Sequence, residues 1–316
     1  MSVKYIYLHI PFCKSKCPYC DFFSLAVSSY DIKNKYTTAI IKELKHKKKL
    51  MGNPLKSLYF GGGSPITLGT NNLKKIVSQF KAHIDKKTEI SIELNPEHLE
   101  KNQQKILKDL GNMGFNRVSI GVQTTNTNIL RKIQRAYNKE KLIISINEIK
   151  KRKIKLSLDF MFGLPGQTLK DLEKDLSFVR STNPEHLSFY LFTPPDRYKY
   201  IDKCASDELS CKMLKLISSY LKKINYRHYE VSNFCLGKNQ CKHNMAYWER
   251  KSYIGLGAGA HSFYADKRIR SWNMQNLSKY IKAPNSSYEY EKLRRKDQKE
   301  KSYWKKLEDI VISLQV

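Results

Sequence analysis

The strongest constraint on the fold is an alternation of β-rich and helical segments over the first two thirds of the chain. Runs rich in β-branched and aromatic residues occur at Tyr5–Ile10, Ser57–Phe60, Glu89–Leu94, Arg117–Val122, Lys155–Phe162 and His186–Phe192. Between them lie stretches with helical spacing: Tyr30–Leu50, Leu73–Ile84, Gln103–Met113, Lys139–Lys151 and Leu169–Val179. Six strands separated by five helices predict repeated βαβ units and a parallel sheet. Six units are too few for a closed eight-stranded barrel. The expectation is an α/β fold, a partial (β/α)6 barrel over residues 1–200 with its chemistry at the C-terminal strand ends.

Beyond that the rhythm changes. Residues 201–275 read as a smaller α+β region, with a helix over Asp207–Lys223, the segment Tyr229–Phe234 and an unusual stretch from Cys241 to Tyr264. Residues 276–316, with Tyr288–Glu291 and Lys299–Leu314, are charged and predict helices. They read as the start of a C-terminal helical domain that stops short at the apolar ISLQV.

Composition narrows the class. Hydrophobic residues make up 41% of the 316, enough for a packed core. No apolar run approaches the roughly 18–20 residues that span a bilayer, and the first residues lack a signal-peptide pattern, so a cytoplasmic protein is expected. The net charge is +29, carried by 46 Lys and only 12 Arg. Phosphate and base recognition favour the planar Arg fork, and the Lys residues are scattered apart from Lys45–Lys49. The charge therefore reads as a solvated surface, suited at most to peripheral contact with anionic membranes or acidic partners, not to specific nucleic-acid binding.

Seven cysteines, an odd number in a long chain without an export signal, argue against a disulfide framework. Three of them fall within eight residues as Cys13-x3-Cys17-x2-Cys20, directly after the first strand. Such a loop can wrap a [4Fe–4S] cluster and leave one iron open to a ligand. A zinc site with a distant fourth ligand and simple coincidence are the alternatives.

These residues resemble the radical S-adenosylmethionine (SAM) superfamily, in which the open iron chelates SAM and an electron from the cluster cleaves it. The resemblance implies a [4Fe–4S] cluster on Cys13, Cys17 and Cys20 and a SAM site built from Tyr7, Tyr19, Gly62, Gly63, Ser64, Glu93, Gln123, Arg135 and Asp159. Gly61-Gly62-Gly63-Ser64-Pro65 offers close backbone approach after the second strand. Glu93 can accept the ribose hydroxyls. Asp159, a carboxylate inside an apolar strand, needs a partner, and Arg135 is the expected one.

Tyr7-x-His9-Ile10-Pro11-Phe12-Cys13, the GGGSP loop, Gly163-Leu164-Pro165-Gly166-Gln167-Thr168 and Tyr229–Phe234 further resemble the oxygen-independent coproporphyrinogen III oxidase group. Its dehydrogenase branch has a fourth cysteine two residues after the third and a long N-terminal extension. Phe22 occupies the matching position here, and four residues precede the first strand. Both departures point to the haem-chaperone branch, leaving oxidative decarboxylation of coproporphyrinogen III as the alternative. His243-Asn244-Met245-Ala246-Tyr247-Trp248 matches that branch's haem motif. His243 is the expected iron ligand, with His261 and Cys241 ranked below it, while Tyr247 and Trp248 offer flat faces for a porphyrin. The resemblance further implies haem-acceptor proteins, respiratory ones among them, an electron donor such as flavodoxin or ferredoxin, and dimerisation on cluster binding.

Overall fold

The computed structural model describes residues 2–196, 198–285 and 288–292. β1 (Tyr5–Ile10) leads into the short pair β2 (Phe12–Cys13) and β3 (Leu25–Ala26), which brackets the cysteine loop. Then follow α1 (Tyr30–Lys47), β4 (Ser57–Gly62), α2 (Thr70–Ser78), β5 (Glu89–Leu94), α3 (Gln103–Asn112) and β6 (Arg117–Gln123). α4 (Thr127–Lys132), α5 (Lys139–Lys151), β7 (Lys155–Phe162), α6 (Leu169–Thr182) and β8 (His186–Leu191) complete the alternation. Each of the six expected strands ends within two residues of its predicted limit.

The remaining described chain is α7 (Asp207–Lys223), β9 (Tyr226–His228), β10 (Asn233–Leu236), α8 (Lys242–Trp248), β11 (Ile254–Leu256), β12 (His261–Tyr264), β13 (Ile269–Asn273), α9 (Leu277–Lys282) and β14 (Tyr288–Lys292). The main sheet has nine strands in the order β11-β1-β4-β5-β6-β7-β8-β10-β9. The first seven run parallel, whereas β10 pairs antiparallel with both β8 and β9. Near-continuous burial along β1, β4, β5, β6 and β7 is the mark of a parallel sheet covered on both faces. The architecture is the expected partial barrel, widened by strands from the later region.

Local chemistry sets the boundaries. Ser29 caps α1 by accepting from the Ile32 amide. Thr168 and Asp171 form a capping box that starts α6 directly after the GLPGQT turn. Two glycines let β11 and the turn after it approach their neighbours closely. A Cβ on Gly255 would sit 2.1 Å from the His261 carbonyl oxygen, and one on Gly257, at φ +103°, 2.4 Å from that of His9. Buried Glu43 of α1 then ties the later region down. It accepts from Gly257 N (2.9 Å), Asn273 Nδ2 (2.8 Å) and Tyr280 Oη (2.5 Å), and pairs with Lys47 at 2.7 Å.

One expectation is corrected. Tyr288–Glu291 is not helical but belongs to β14, paired antiparallel with β13 in the three-stranded β12-β13-β14 sheet. Tyr and Glu alternate there with period two, which is the repeat of a strand and not of a helix. The helix expected at Lys299–Leu314, and with it most of the expected C-terminal domain, lies outside the described residues. No helix among the described residues is long and apolar enough to cross a membrane.

Candidate functional site

The cysteine loop is closed at its base by backbone pairing. Phe12 sits beside Leu25 and Cys13 beside Ala26, and the Leu25 amide donates to Pro11 O at 2.6 Å. A turn from Cys20 N to Cys17 O folds the tip, at 3.1 Å. All three thiols are free. Burial, with Cys20 and Cys17 nearby, pushes the Cys13 thiol up to about 11, so the loop calls for a cationic partner to hold thiolates. Arg135 supplies one donor, Nη1 at 3.9 Å from Cys17 Sγ, while its Nη2 donates to Gly121 O at 3.1 Å.

The glycine loop is pressed against the same cysteines. Gly63 N donates to Ile10 O (2.9 Å) and Ser64 N to Phe12 O (2.8 Å). A Cβ on Gly63 would stand 2.8 Å from Cys13 Sγ, so only glycine fits this cradle. No trio of His, Cys, Asp or Glu among the described residues closes on a single metal ion. A four-iron cluster takes one thiolate per iron, which spreads its ligands further apart than those of one zinc ion. Three free thiols, an arginine donor and a glycine cradle fit such a cluster.

Of the other sequence-predicted residues, Glu93 and Gln123 lie at the C-terminal ends of β5 and β6, Tyr7 and Asp159 within β1 and β7, and Tyr19 in the cysteine loop. Glu93 on β5 accepts from Tyr59 Oη (2.8 Å) and Gly62 N (3.1 Å). Burial, with a smaller contribution from Asp159, raises its carboxyl to about 7. Tyr7 bonds His9 Nδ1 at 3.1 Å, and His9 Nε2 donates to the Phe23 carbonyl at 2.8 Å, which fixes the imidazole tautomer. Ser64 Oγ meets His98 Nδ1 at 3.1 Å. Tyr19 packs on Phe192 with ring centroids 5.6 Å apart. Gln123 sits at φ +69° beyond a register shift in β6, re-aimed by the bulge.

The expected Asp159–Arg135 pair does not form. Asp159 is satisfied by hydroxyls instead, from Ser119 at 2.7 Å, Ser188 at 2.8 Å and Ser157 at 3.5 Å. Arg135 faces the cysteine loop. Three neutral donors meet the needs of a buried carboxylate without a cation.

Glu93 yields a pH prediction. Its folded pKa lies above its ordinary value of 4.5, so the folded state holds the proton more tightly than the unfolded chain. Stability of the unliganded protein is expected to fall as pH rises from about 4.5 through about 7, and to level off above. Glu93→Gln should flatten that slope in denaturant titrations across this window. An unchanged slope would show that another group carries it.

His243 lies on α8 and is 2% exposed. Its Nδ1 meets Ser57 Oγ at 2.8 Å and its Nε2 meets Tyr247 Oη at 2.9 Å. The ring stacks near Tyr59 and Tyr7, at 5.2 and 6.1 Å. Burial lowers its pKa to about 3, so it is a neutral imidazole with both nitrogens engaged. Tyr247, 40% exposed, carries the motif outward into a cavity of about 310 Å³.

Residues 7–179 match the radical SAM superfamily model. A heme chaperone HemW from Buchnera aphidicola subsp. Schizaphis graminum is 36% identical over 294 residues, 89% of this chain and 77% of that protein. The chain belongs to the HemW family of radical SAM proteins. A HemW of Bacillus subtilis is 34% identical over 88% of this chain and 75% of its own length. Among solved structures, the coproporphyrinogen III oxidase HemN of Escherichia coli superposes with a TM-score of 0.81 at 22% identity, over 94% of this chain and 73% of that one, a likeness of fold. Radical SAM membership implies a [4Fe–4S] cluster and SAM, the groups that the thiol loop and strand-end residues fit.

Several residues of this HemW-family site were not singled out from sequence. Tyr59 holds Glu93, His98 holds Ser64, and Ser119 and Ser188 hold Asp159. The serines carried a faint signal: polar residues at inward positions of otherwise apolar strands.

Proposed function

We propose that this chain is a haem chaperone: it holds a [4Fe–4S] cluster on Cys13, Cys17 and Cys20, binds SAM at the neighbouring strand ends, and passes haem to acceptor proteins. The observation that carries this reading is the name shared by its relatives, heme chaperone, at 34–36% identity over three quarters of their length. Phe22 supports it, standing where the dehydrogenase branch has its fourth cysteine.

When bound, cluster and SAM supply one-electron chemistry. The chain's own residues bind and orient. Tyr59 and the Gly62 amide hold the Glu93 carboxylate for the ribose hydroxyls, and Tyr7, Tyr19, Ser64 and Gln123 line the approach. The backbone of Gly62 and Gly63, pressed against the cysteine loop, would hold SAM's polar end. Asp159, fixed by its serines, completes the wall, and Arg135 turns a guanidinium donor toward Cys17 Sγ.

The test is an anaerobic preparation with reconstituted cluster. It should bind haem stoichiometrically, transfer it to an apo haem protein of the respiratory chain, and leave coproporphyrinogen III unchanged in the presence of SAM and reductant. Turnover of coproporphyrinogen III, or failure to bind haem, would overturn the reading.

A further inference from the structure

Resting on the haem-chaperone reading, we infer that haem docks at the mouth of the cavity between the cysteine loop and the small β12-β13-β14 sheet, with His261 rather than His243 as its iron ligand.

Iron needs a free imidazole nitrogen in reach of solvent. His243 offers neither, because Ser57 and Tyr247 occupy its nitrogens and tyrosine rings flank it. His261 lines the cavity, is exposed, and forms no hydrogen bond through its ring among the described residues. Its ring is held by stacking on Trp272, centroids 5.8 Å apart and planes 24° off parallel. Partial burial and the nearby Arg270 lower its pKa, which keeps the nitrogen lone pair available at neutral pH.

The surroundings suit a flat dianion. In the β12–β13 register His261 faces Trp272 and Phe263 faces Arg270, so all four share one face of the sheet. Aromatic rings there offer stacking area and the guanidinium a partner for a propionate. Across the mouth, Phe22 is 67% exposed, an unusual cost for a phenyl ring unless something covers it. Three carboxylates lie nearby: Asp21 lines the cavity, Glu289 accepts from Trp272 Nε1 at 3.2 Å, and Glu291 stands opposite Arg270 in the β13–β14 register, with Arg270 the cation on this face. At about 310 Å³ the cavity admits a porphyrin edge and leaves the rest outside, a geometry suited to hand-over. His243 then serves a different purpose, because its bond to Tyr247 sets the aromatic wall of this cavity.

Haem titrations of the full chain, followed by Soret absorption and by resonance Raman of the iron–imidazole stretch, test the assignment. The wild type should show one imidazole ligand. His261→Gly should lose that signature and bind haem at least about tenfold more weakly, with added imidazole restoring both. His243→Ala should keep the signature. Loss of the ligand in His243→Ala with retention in His261→Gly would overturn the assignment and leave the chaperone reading standing. A wild-type protein that binds no haem would overturn both.

Discussion

Replacing any one of Cys13, Cys17 and Cys20 with alanine is expected to abolish the cluster, with iron and acid-labile sulfide falling from about four of each per chain to near zero. Three thiolates are already the minimum that leaves an iron open for SAM, so no spare ligand exists in the loop. Cys204 lies in the segment between β8 and α7, Cys235 on β10, and Cys211 exposed on α7. Alanine at those three positions should leave iron and sulfide unchanged. The fold should survive the loop variants, because backbone pairing of β2 and β3 holds the loop base without the thiols. SAM affinity should collapse along with the cluster, since the chelating iron is lost. Haem binding at His261 requires no thiolate and is expected to persist. Full iron and sulfide content in Cys17→Ala would refute the ligand assignment.

What the sequence made legible follows from what local chemistry encodes. β-branched runs placed the six strands, and residue types that need special backbone or charge marked their ends: Gly63 against Cys13, Glu93, Gln123, Asp159. Contacts between residues far apart in the chain stayed hidden. Charge alone points from Asp159 to Arg135. Ser119 and Ser188 on the two adjacent strands satisfy Asp159 instead, with Ser157 of its own strand, and the meeting of the first two depends on sheet register. β11 beside β1 was equally invisible, since Gly255 and Gly257 announce close approach without naming what approaches. At Tyr288–Lys292, charge density suggested a helix, while the period-two pattern decided for a strand. His243 shows the same limit at the functional level. The motif marks the residue, but only the fold shows that both its nitrogens are occupied.

Arg117→Ala should produce the largest loss of stability. Arg117 and Glu89 open neighbouring strands β6 and β5, at the end of the barrel opposite the cysteine loop. The guanidinium is 2% exposed, with Nε 3.0 Å from Glu89 Oε2 and Nη2 donating to the carbonyls of Asn239 (2.9 Å) and Gln240 (3.3 Å). The other carboxylate oxygen of Glu89 accepts from Lys242 N at 2.8 Å, at the start of α8. Removing the arginine strands a buried carboxylate and frees two carbonyls, a loss of about 3–5 kcal/mol. For a chain of this size that lowers Tm by on the order of ten degrees. Replacing both partners with apolar residues should recover part of the loss, not all, because Glu89 also anchors α8. The consequence extends along α8, which carries His243 and Tyr247, so faster amide hydrogen exchange should appear in residues 242–248 before the barrel strands. A loss below about 1 kcal/mol, or exchange unchanged in α8, would show that helix packing rather than this ion pair positions the motif.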